Sequence, residues 1–286
     1  MDVLMTHYEQ RKTLRDSIES LLPQLSDDDV IHVVDAGSTD GSFHILEELD
    51  YDGKIDLLYR DGVSRGQGRQ IAFEESNADI VVAHADLDTI FYPVLEQLRE
   101  AYRRIRSERG AGVLLVHGCF VSDRSTINSI GGWNDLQVHE DKDLWIRADD
   151  NATLYQMPVS VVQHHDNFEW ESPMYRFKRL YQNYRDAIRL GIPSAALGAS
   201  YRRHQSVSSW PPNAVLLSIA ARRGKNMRSY DTLREEYPDP AKFHLRELTF
   251  RTLIESQVIE PEILQIPSEF SQYQSKRVYP GKTSYY

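Results

Sequence analysis

Short β-branched runs that end in acidic or glycine-rich turns recur along the first half of the chain. Ile31-His32-Val33-Val34 runs into Asp35-Ala36-Gly37-Ser38-Thr39-Asp40-Gly41-Ser42, and a helix is expected over residues 43–49. Ile80-Val81-Val82 runs into Ala83-His84-Ala85-Asp86-Leu87-Asp88, with a long helix expected over 93–106. Further strands are expected at 3–5, 55–59, 111–116 and 154–162, the last with Pro158 at a sheet edge. An amphipathic stripe of Leu14, Ile18, Leu21 and Leu22 predicts a helix between the first two strands. Continuous apolar strands alternating with helices predict an α/β fold: a mostly parallel sheet with helices on both faces. Ligands of such sheets sit outside the carboxyl ends of the strands, which is where the acids fall here.

Composition narrows the function. The chain has 286 residues and a net charge of −10, a poor balance for sequence-independent nucleic-acid binding. No apolar run approaches the roughly 20 residues that span a bilayer. The start, Met1-Asp2-Val3-Leu4-Met5, lacks the basic and apolar regions of a signal peptide, so a cytoplasmic protein is expected. The single cysteine, Cys119, excludes an internal disulfide. Of the 33 Lys and Arg residues most are Arg, and Asp outnumbers Glu among the 43 acids. That bias suggests a high-salt cytoplasm; the competing reading is a GC-rich genome with an ordinary acidic enzyme.

Four polar clusters fall at strand ends or just beyond them: Asp35, Asp86 with Asp88, Glu140 with Asp141, and His164 with His165. Two carboxylates one residue apart can hold a hard divalent cation, and the cation a diphosphate. The competing reading makes Asp86 a helix cap and Asp88 a first-turn acid. Asp35 either caps a strand-to-helix turn or accepts hydrogen bonds from a nucleobase or ribose. Arg65-Gly66-Gln67-Gly68-Arg69 opens a helix whose free N–H groups and two guanidinium groups suit an anion. In Gly131-Gly132-Trp133 through Arg147, Glu140, Asp143 and Arg147 share one helix face and could be a surface salt-bridge ladder, while Asp141 points elsewhere and can act as a general base. One of His164 and His165 is a candidate ligand through a neutral ring nitrogen. The dinucleotide-binding fingerprint G-x-G-x-x-G is absent, which disfavours a dehydrogenase.

Taken in order, V-V-D-x-G-S-T-D-G-S, then G-x-x-R, then D-x-D after an apolar strand, then G-G-W and E-D-x-D-L-x-x-R resemble the family 2 glycosyltransferases of GT-A fold. The resemblance covers residues 1–166, which it implies to be the catalytic domain. It implies a sugar moved from a nucleotide-diphosphate donor, with inversion and with Mn²⁺ or Mg²⁺, to a glycan or lipid-linked acceptor. By motif, Thr6, Tyr8 and Glu9 frame the nucleotide, Asp35 meets its base, and Arg65, Arg69 and Asp86 bind the donor. Asp88 is the more direct metal ligand, with Asp86 and His164 or His165 beside it. Gly132, Trp133 and Glu140 fall in the acceptor or sugar pocket, and Asp141 resembles the catalytic base. Two positions depart from the pattern: Ala36 replaces an Asp, and Thr6-His7-Tyr8-Glu9 lacks the usual Pro and Asn.

A sugar-phosphate nucleotidyltransferase would carry a glycine-rich basic loop after the first strand, which this chain lacks. A glycosidase also uses two carboxylates, but would leave the nucleotide-like loops unexplained. An inactive homologue acting as a subunit of a glycan-assembly complex fits poorly with intact Asp86, Asp88 and Asp141. Residues 167–286 read as a helical appendage, with helices near 168–190, 213–223 and 240–257 and a polar, tyrosine-rich end from about 268. Trp210-Pro211-Pro212, the apolar run 214–221 and Arg222-Arg223 suggest either peripheral contact with the inner face of a membrane or an ordinary packed helix.

Overall fold

Along the first strand Val3 and Met5 face one apolar layer, Leu4 faces another, and all three are fully buried. A strand covered on both faces must lie inside a sheet flanked by helices. The computed structural model of the protein, which describes residues 1–164, 173–195, 197–198, 210–224 and 257–258, has that architecture. Its elements are β1 (Asp2–His7), α1 (Leu14–Leu21), β2 (Ile31–Asp35), α2 (Ser42–Tyr51), β3 (Asp56–Tyr59), α3 (Arg65–Glu75), β4 (Ile80–Ala83), β5 (Thr89–Phe91) and α4 (Leu95–Arg109). Then come β6 (Gly112–His117), β7 (Cys119–Asp123), α5 (Arg124–Ser129), α6 (Glu140–Asn151), β8 (Thr153–Ser160), β9 (Val162–His164), α7 (Pro173–Arg189), α8 (Trp210–Arg223) and β10 (Gln257–Val258).

The main sheet has the order β10-β8-β6-β7-β4-β1-β2-β3. All its neighbours pair in parallel except β7, which runs antiparallel to both β4 and β6. One layer packs Leu14, Ile18 and Leu21 of α1 and Leu98, Tyr102 and Ile105 of α4 on the sheet. The other packs Ala72 and Phe73 of α3, Ile127 of α5, and Leu144 and Ala148 of α6. After β1 the chain winds out through β2 and β3, then crosses back to β4 on the other side of β1. The strand order therefore reverses between β1 and β4, and the crevice at their carboxyl ends is where such a sheet binds ligands.

Strands β5, β7 and β10 were not expected. Beyond the expected strand at 111–116, β6 and β7 form a hairpin with Val116 opposite Cys119 and a two-residue turn of His117 and Gly118. Gly118 has φ +111°, and a Cβ there would lie 2.5 Å from a Val162 methyl, so glycine is required by backbone and space alike. The expected strand over 154–162 is two strands. β8 stays in the main sheet, whereas β9 leaves it and pairs antiparallel with β5 in a separate two-stranded sheet. Pro158 falls in the stretch where the β6–β8 register shifts, a position that tolerates its missing donor.

The chain divides into two units, Met1–Asp135 with Leu144–Phe168 and Thr252–Tyr286, and Leu136–Asp143 with Glu169–Arg251. In the second, α7 and α8 share a core of Tyr184, Ala187, Ile188, Leu216 and Ala220. Buried Asp186 accepts the backbone N–H groups of Gln137 and Val138 at 2.7 and 2.8 Å. The helix expected near 240–257 and the end from 268 lie outside the described residues, apart from β10. Among the described residues no helix is long and apolar enough to cross a membrane.

At the amino end of β2, opposite the strand ends that form the crevice, His32 sits between two carboxylates. Its Nδ1 is 2.7 Å from Asp56 and its Nε2 3.1 Å from Asp2. Burial pushes the imidazolium down, but the bonds to Asp2 and Asp56 outweigh it and raise the pKa above the ordinary histidine value. A raised folded-state pKa gives stability that is complete below the unfolded value near 6.5 and is lost as pH rises through the folded value. Urea midpoints of the wild type minus those of His32→Asn should therefore shrink from pH 6 to pH 9; a difference that grows with pH would contradict the arrangement.

Candidate active site

The D-x-D acids do not begin a helix. β5 intervenes and α4 starts only at Leu95, so the helix-cap reading of Asp86 and Asp88 fails. The segment is instead a pinned turn at the carboxyl end of β4. Leu87 is fully buried in the core while Asp86 is exposed and Asp88 half-buried. The Leu87 carbonyl accepts from Thr13 Oγ1 at 2.7 Å and Ser17 Oγ at 2.9 Å, and Thr89 Oγ1 donates to the Asp86 carbonyl at 2.8 Å. On the acidic side, Arg69 donates from Nη2 to Asp86 Oδ1 at 3.1 Å. Arg69 is only 2% exposed, so its guanidinium serves the turn from within the protein.

Arg69 lies on the first turns of α3, where a glycine is indispensable. A Cβ at Gly68 would be 2.6 Å from the Thr6 methyl group, so this helix can cross β1 only without a side chain there. The N-terminus of α3 is already capped in part: Ser64 Oγ accepts from Gln67 N at 3.2 Å, and Gln67 Oε1 accepts from Ser64 N at 3.0 Å. Arg65 is the first helical residue.

Asp35 ends β2 with no exposed surface. Its Oδ2 accepts the N–H groups of Gly37 and Ser38, both at 3.0 Å, and its Oδ1 accepts Ser38 Oγ at 2.6 Å. In this geometry the carboxylate shapes its own loop. Ser38 Oγ in turn accepts from Glu9 N at 3.0 Å, and Thr39 Oγ1 donates to Glu9 Oε1 at 2.9 Å. Glu9 is held at φ +51°, and Tyr8 beside it is 44% exposed. The β1 and β2 loops are thus tied to each other, with Tyr8 outward.

His164 is reached through backbone register: β9 sets it opposite Thr89, the residue after Asp88. Its side chain and His165 lie outside the described residues. Trp133 is buried rather than open, 5% exposed, against Phe73, Phe120 and His84. Gly132 and Gly131 precede it at φ +61° and +82°. Glu140, Asp143 and Arg147 are all buried, so they form no surface ladder. Arg147 donates to the Ile130 carbonyl, the last residue before the Gly-Gly turn. In the second unit, Asp141 is half-buried on the first turn of α6 and accepts from Lys142 N at 2.7 Å. His139 precedes it at φ +72°, its Nε2 2.6 Å from Asn183 Oδ1; burial and nearby Lys142 push its pKa down to about 4.

The carboxylates of Asp86 and Asp88 are hard oxygen donors at the carboxyl end of β4, of the kind that would suit Mg²⁺ or Mn²⁺. Among the described residues no three His, Cys, Asp or Glu side chains form a ready-made cage. Sequence reasoning missed Thr13 and Ser17, which hold the Leu87 carbonyl, and Gln70 and His84, which accept from the Trp133 backbone and indole N–H groups, because these partners are 49 to 74 residues apart in sequence.

Residues 2–130, which carry all of these elements up to the Gly-Gly turn, match the family model described as glycosyl transferase family 2. This segment belongs to glycosyl transferase family 2. Its mostly parallel sheet with helices on both faces is the family's GT-A fold. The family 2 segment ends before Trp133, Glu140, Asp141 and His164. None of the curated proteins matches the sequence. Solved structures that resemble the chain include TarS of S. aureus, 14% identical over 94% of this chain and 49% of that one, TM-score 0.46. They also include the mannosyltransferase PcManGT of Pyrobaculum calidifontis, 16% identical over 88% and 83%, TM-score 0.49. A mycobacterial protein is 16% identical over 67% and 75%, TM-score 0.47. The chain spans about half the length of TarS.

The enclosure of Asp35 in the family 2 segment has a measurable cost. Replacing a buried carboxylate that accepts three hydrogen bonds should lower stability by about 2–4 kcal/mol in Asp35→Ala, read as a lower urea midpoint at unchanged m. Asp35→Asn, which keeps one acceptor oxygen, should lose less. A loss below about 0.5 kcal/mol in the alanine variant would show that the loop holds itself.

Proposed function

We propose that the protein transfers a sugar from a nucleotide-diphosphate donor to a hydroxyl or lipid-phosphate acceptor with inversion at the anomeric carbon. The observation that carries this is the pinned Asp86-Leu87-Asp88 turn at the point where the strand order reverses. Buried Leu87 leaves both carboxylates on the crevice side with their backbone fixed before any ligand arrives. In this reading Asp88 holds the divalent cation most directly, with Asp86 beside it and His164 or His165 as a further ligand. The cation, when bound, offsets charge on the departing nucleoside diphosphate. Arg69 fixes one Asp86 oxygen, leaving the other toward the donor. Tyr8, Glu9 and the Asp35 loop frame the nucleotide, and Arg65 at the start of α3 faces its phosphates.

Asp141 takes the proton from an acceptor hydroxyl as the oxygen forms its bond to the anomeric carbon and the bond to the diphosphate breaks. A lipid-phosphate acceptor is already ionised, and Asp141 would then orient it. Gly132, Trp133 and Glu140 shape the acceptor side. Exposed Val215 and Ile219 lie one turn apart on α8, and Arg222 and Arg223 follow in its last turn. This pairing of apolar and basic groups supports peripheral contact with the inner face of a membrane, where a lipid-linked acceptor resides.

The donor is found with a panel of UDP-, GDP- and dTDP-sugars and Mn²⁺ or Mg²⁺. PcManGT was crystallised with GDP-Man and Mn²⁺ and TarS with UDP-GlcNAc, so these two donors come first. Asp88→Ala should abolish cation-dependent donor binding by calorimetry. Asp141→Asn should keep that binding and lose at least about 100-fold in transfer to a hydroxyl acceptor, the scale of general-base catalysis. Undiminished transfer by Asp141→Asn would remove its role as base, and cation-independent binding by the wild type would remove that of Asp88.

A further inference from the structure

Trp133 closes a ring of contacts around the donor anchor. Gln70 follows Arg69 on α3, and its Oε1 accepts the Trp133 backbone N–H at 2.9 Å. Its Nε2 donates to Glu74 Oε1 at 2.8 Å, so both ends of the amide have the partner their chemistry requires. The Trp133 indole N–H, a donor only, reaches His84 Nε2 at 3.0 Å, which makes that nitrogen the acceptor. His84 stands two residues before Asp86, and Asp86 accepts from Arg69. The ring therefore runs from α3 through Trp133 and His84 to Asp86 and back through Arg69 to α3.

Space and backbone show that the ring is built to a tolerance. A Cβ at Gly132 would be 2.1 Å from Gln70 Oε1, so only glycine brings Trp133 N to that oxygen. His84 is held at φ +61°, a region that side chains seldom take, though Asn, Asp and His take it more readily than the rest. Its ring is fixed there edge-on to Phe120, with centroids 4.7 Å apart, and by the indole bond. Strained backbone next to a ligand site persists only where the surroundings enforce it. A packing role alone would be met by any aromatic ring at 84; the hydrogen bond and the left-handed turn would not.

We propose that Gln70 and His84 are positioning residues of the donor site, acting through Trp133 to set the turn that aims Asp86 and Asp88. This rests on the reading of those two acids as the diphosphate anchor. The Gly-Gly-Trp motif thereby belongs to the donor side as well as to the acceptor side.

Hydrogen–deuterium exchange of the full chain, read on peptides covering residues 84–92, tests the ring without any ligand. Trp133→Phe keeps the ring packing and removes the donor; His84→Phe removes the acceptor. Both should speed exchange in this segment about tenfold while peptides of β1 and β2 stay unchanged. His84→Asn, which tolerates the left-handed backbone and offers an acceptor oxygen, should return exchange to within about threefold of wild type. Phe73→Leu, beside Trp133 but outside the ring, should lower Tm and leave the segment's exchange alone. Unchanged exchange in Trp133→Phe and His84→Phe, or equal acceleration by Phe73→Leu, would overturn the ring. Calorimetry with UDP or GDP and Mn²⁺ separates the two ideas: affinity should fall about tenfold in Trp133→Phe. Wild type that binds neither nucleotide would overturn the donor role, whatever the exchange shows.

Discussion

A single buried leucine sets the terms for the site. In the turn that carries Asp86 and Asp88, the residue between the two acids is the one drawn into the core. Leu87 occupies that middle position and is fully buried, with its carbonyl held by the hydroxyl groups of Thr13, just before α1, and Ser17, on it. Burying it contributes about 1.5–3 kcal/mol, so rotating the acids inward would forfeit that and bury charge as well. The direction of Asp86 and Asp88 is thus a by-product of core packing. Arg69 and His84 then refine it from the polar side.

Much of the fold was legible because its signal is local. Apolar runs at Val33 and Val81, ended by glycine-rich or acidic turns, announce buried parallel strands, and the stripe of Leu14, Ile18 and Leu21 announces a helix. What escaped depends on long-range pairing. Cys119–Asp123 is a strand because β4 and β6 lie on either side of it, and β5 exists because β9 comes to meet it. Nothing within three or five residues encodes such partners.

The site divides along the same line. Residue types and spacing pointed to the acids, and the structure removed the helix-cap alternative for Asp86 and Asp88. Burial could not be read. Asp35 looks like an open carboxylate in sequence, yet its oxygens are taken up by Gly37 and Ser38. Arg69 looks like a solvated basic residue and is nearly inaccessible. Thr13, Ser17, Gln70 and His84 carry no motif, since their roles exist only through contacts with Leu87 and Trp133.

The exit of β9 from the main sheet makes chain length itself a determinant of the site. The register that sets His164 opposite Thr89 is counted from Val161, where the strand leaves β8. Deleting one residue there would bring His165 to that place, and inserting one would bring Gln163. Relatives of this protein should therefore keep the number of residues in this link, because an indel would be felt at the acids across the small sheet.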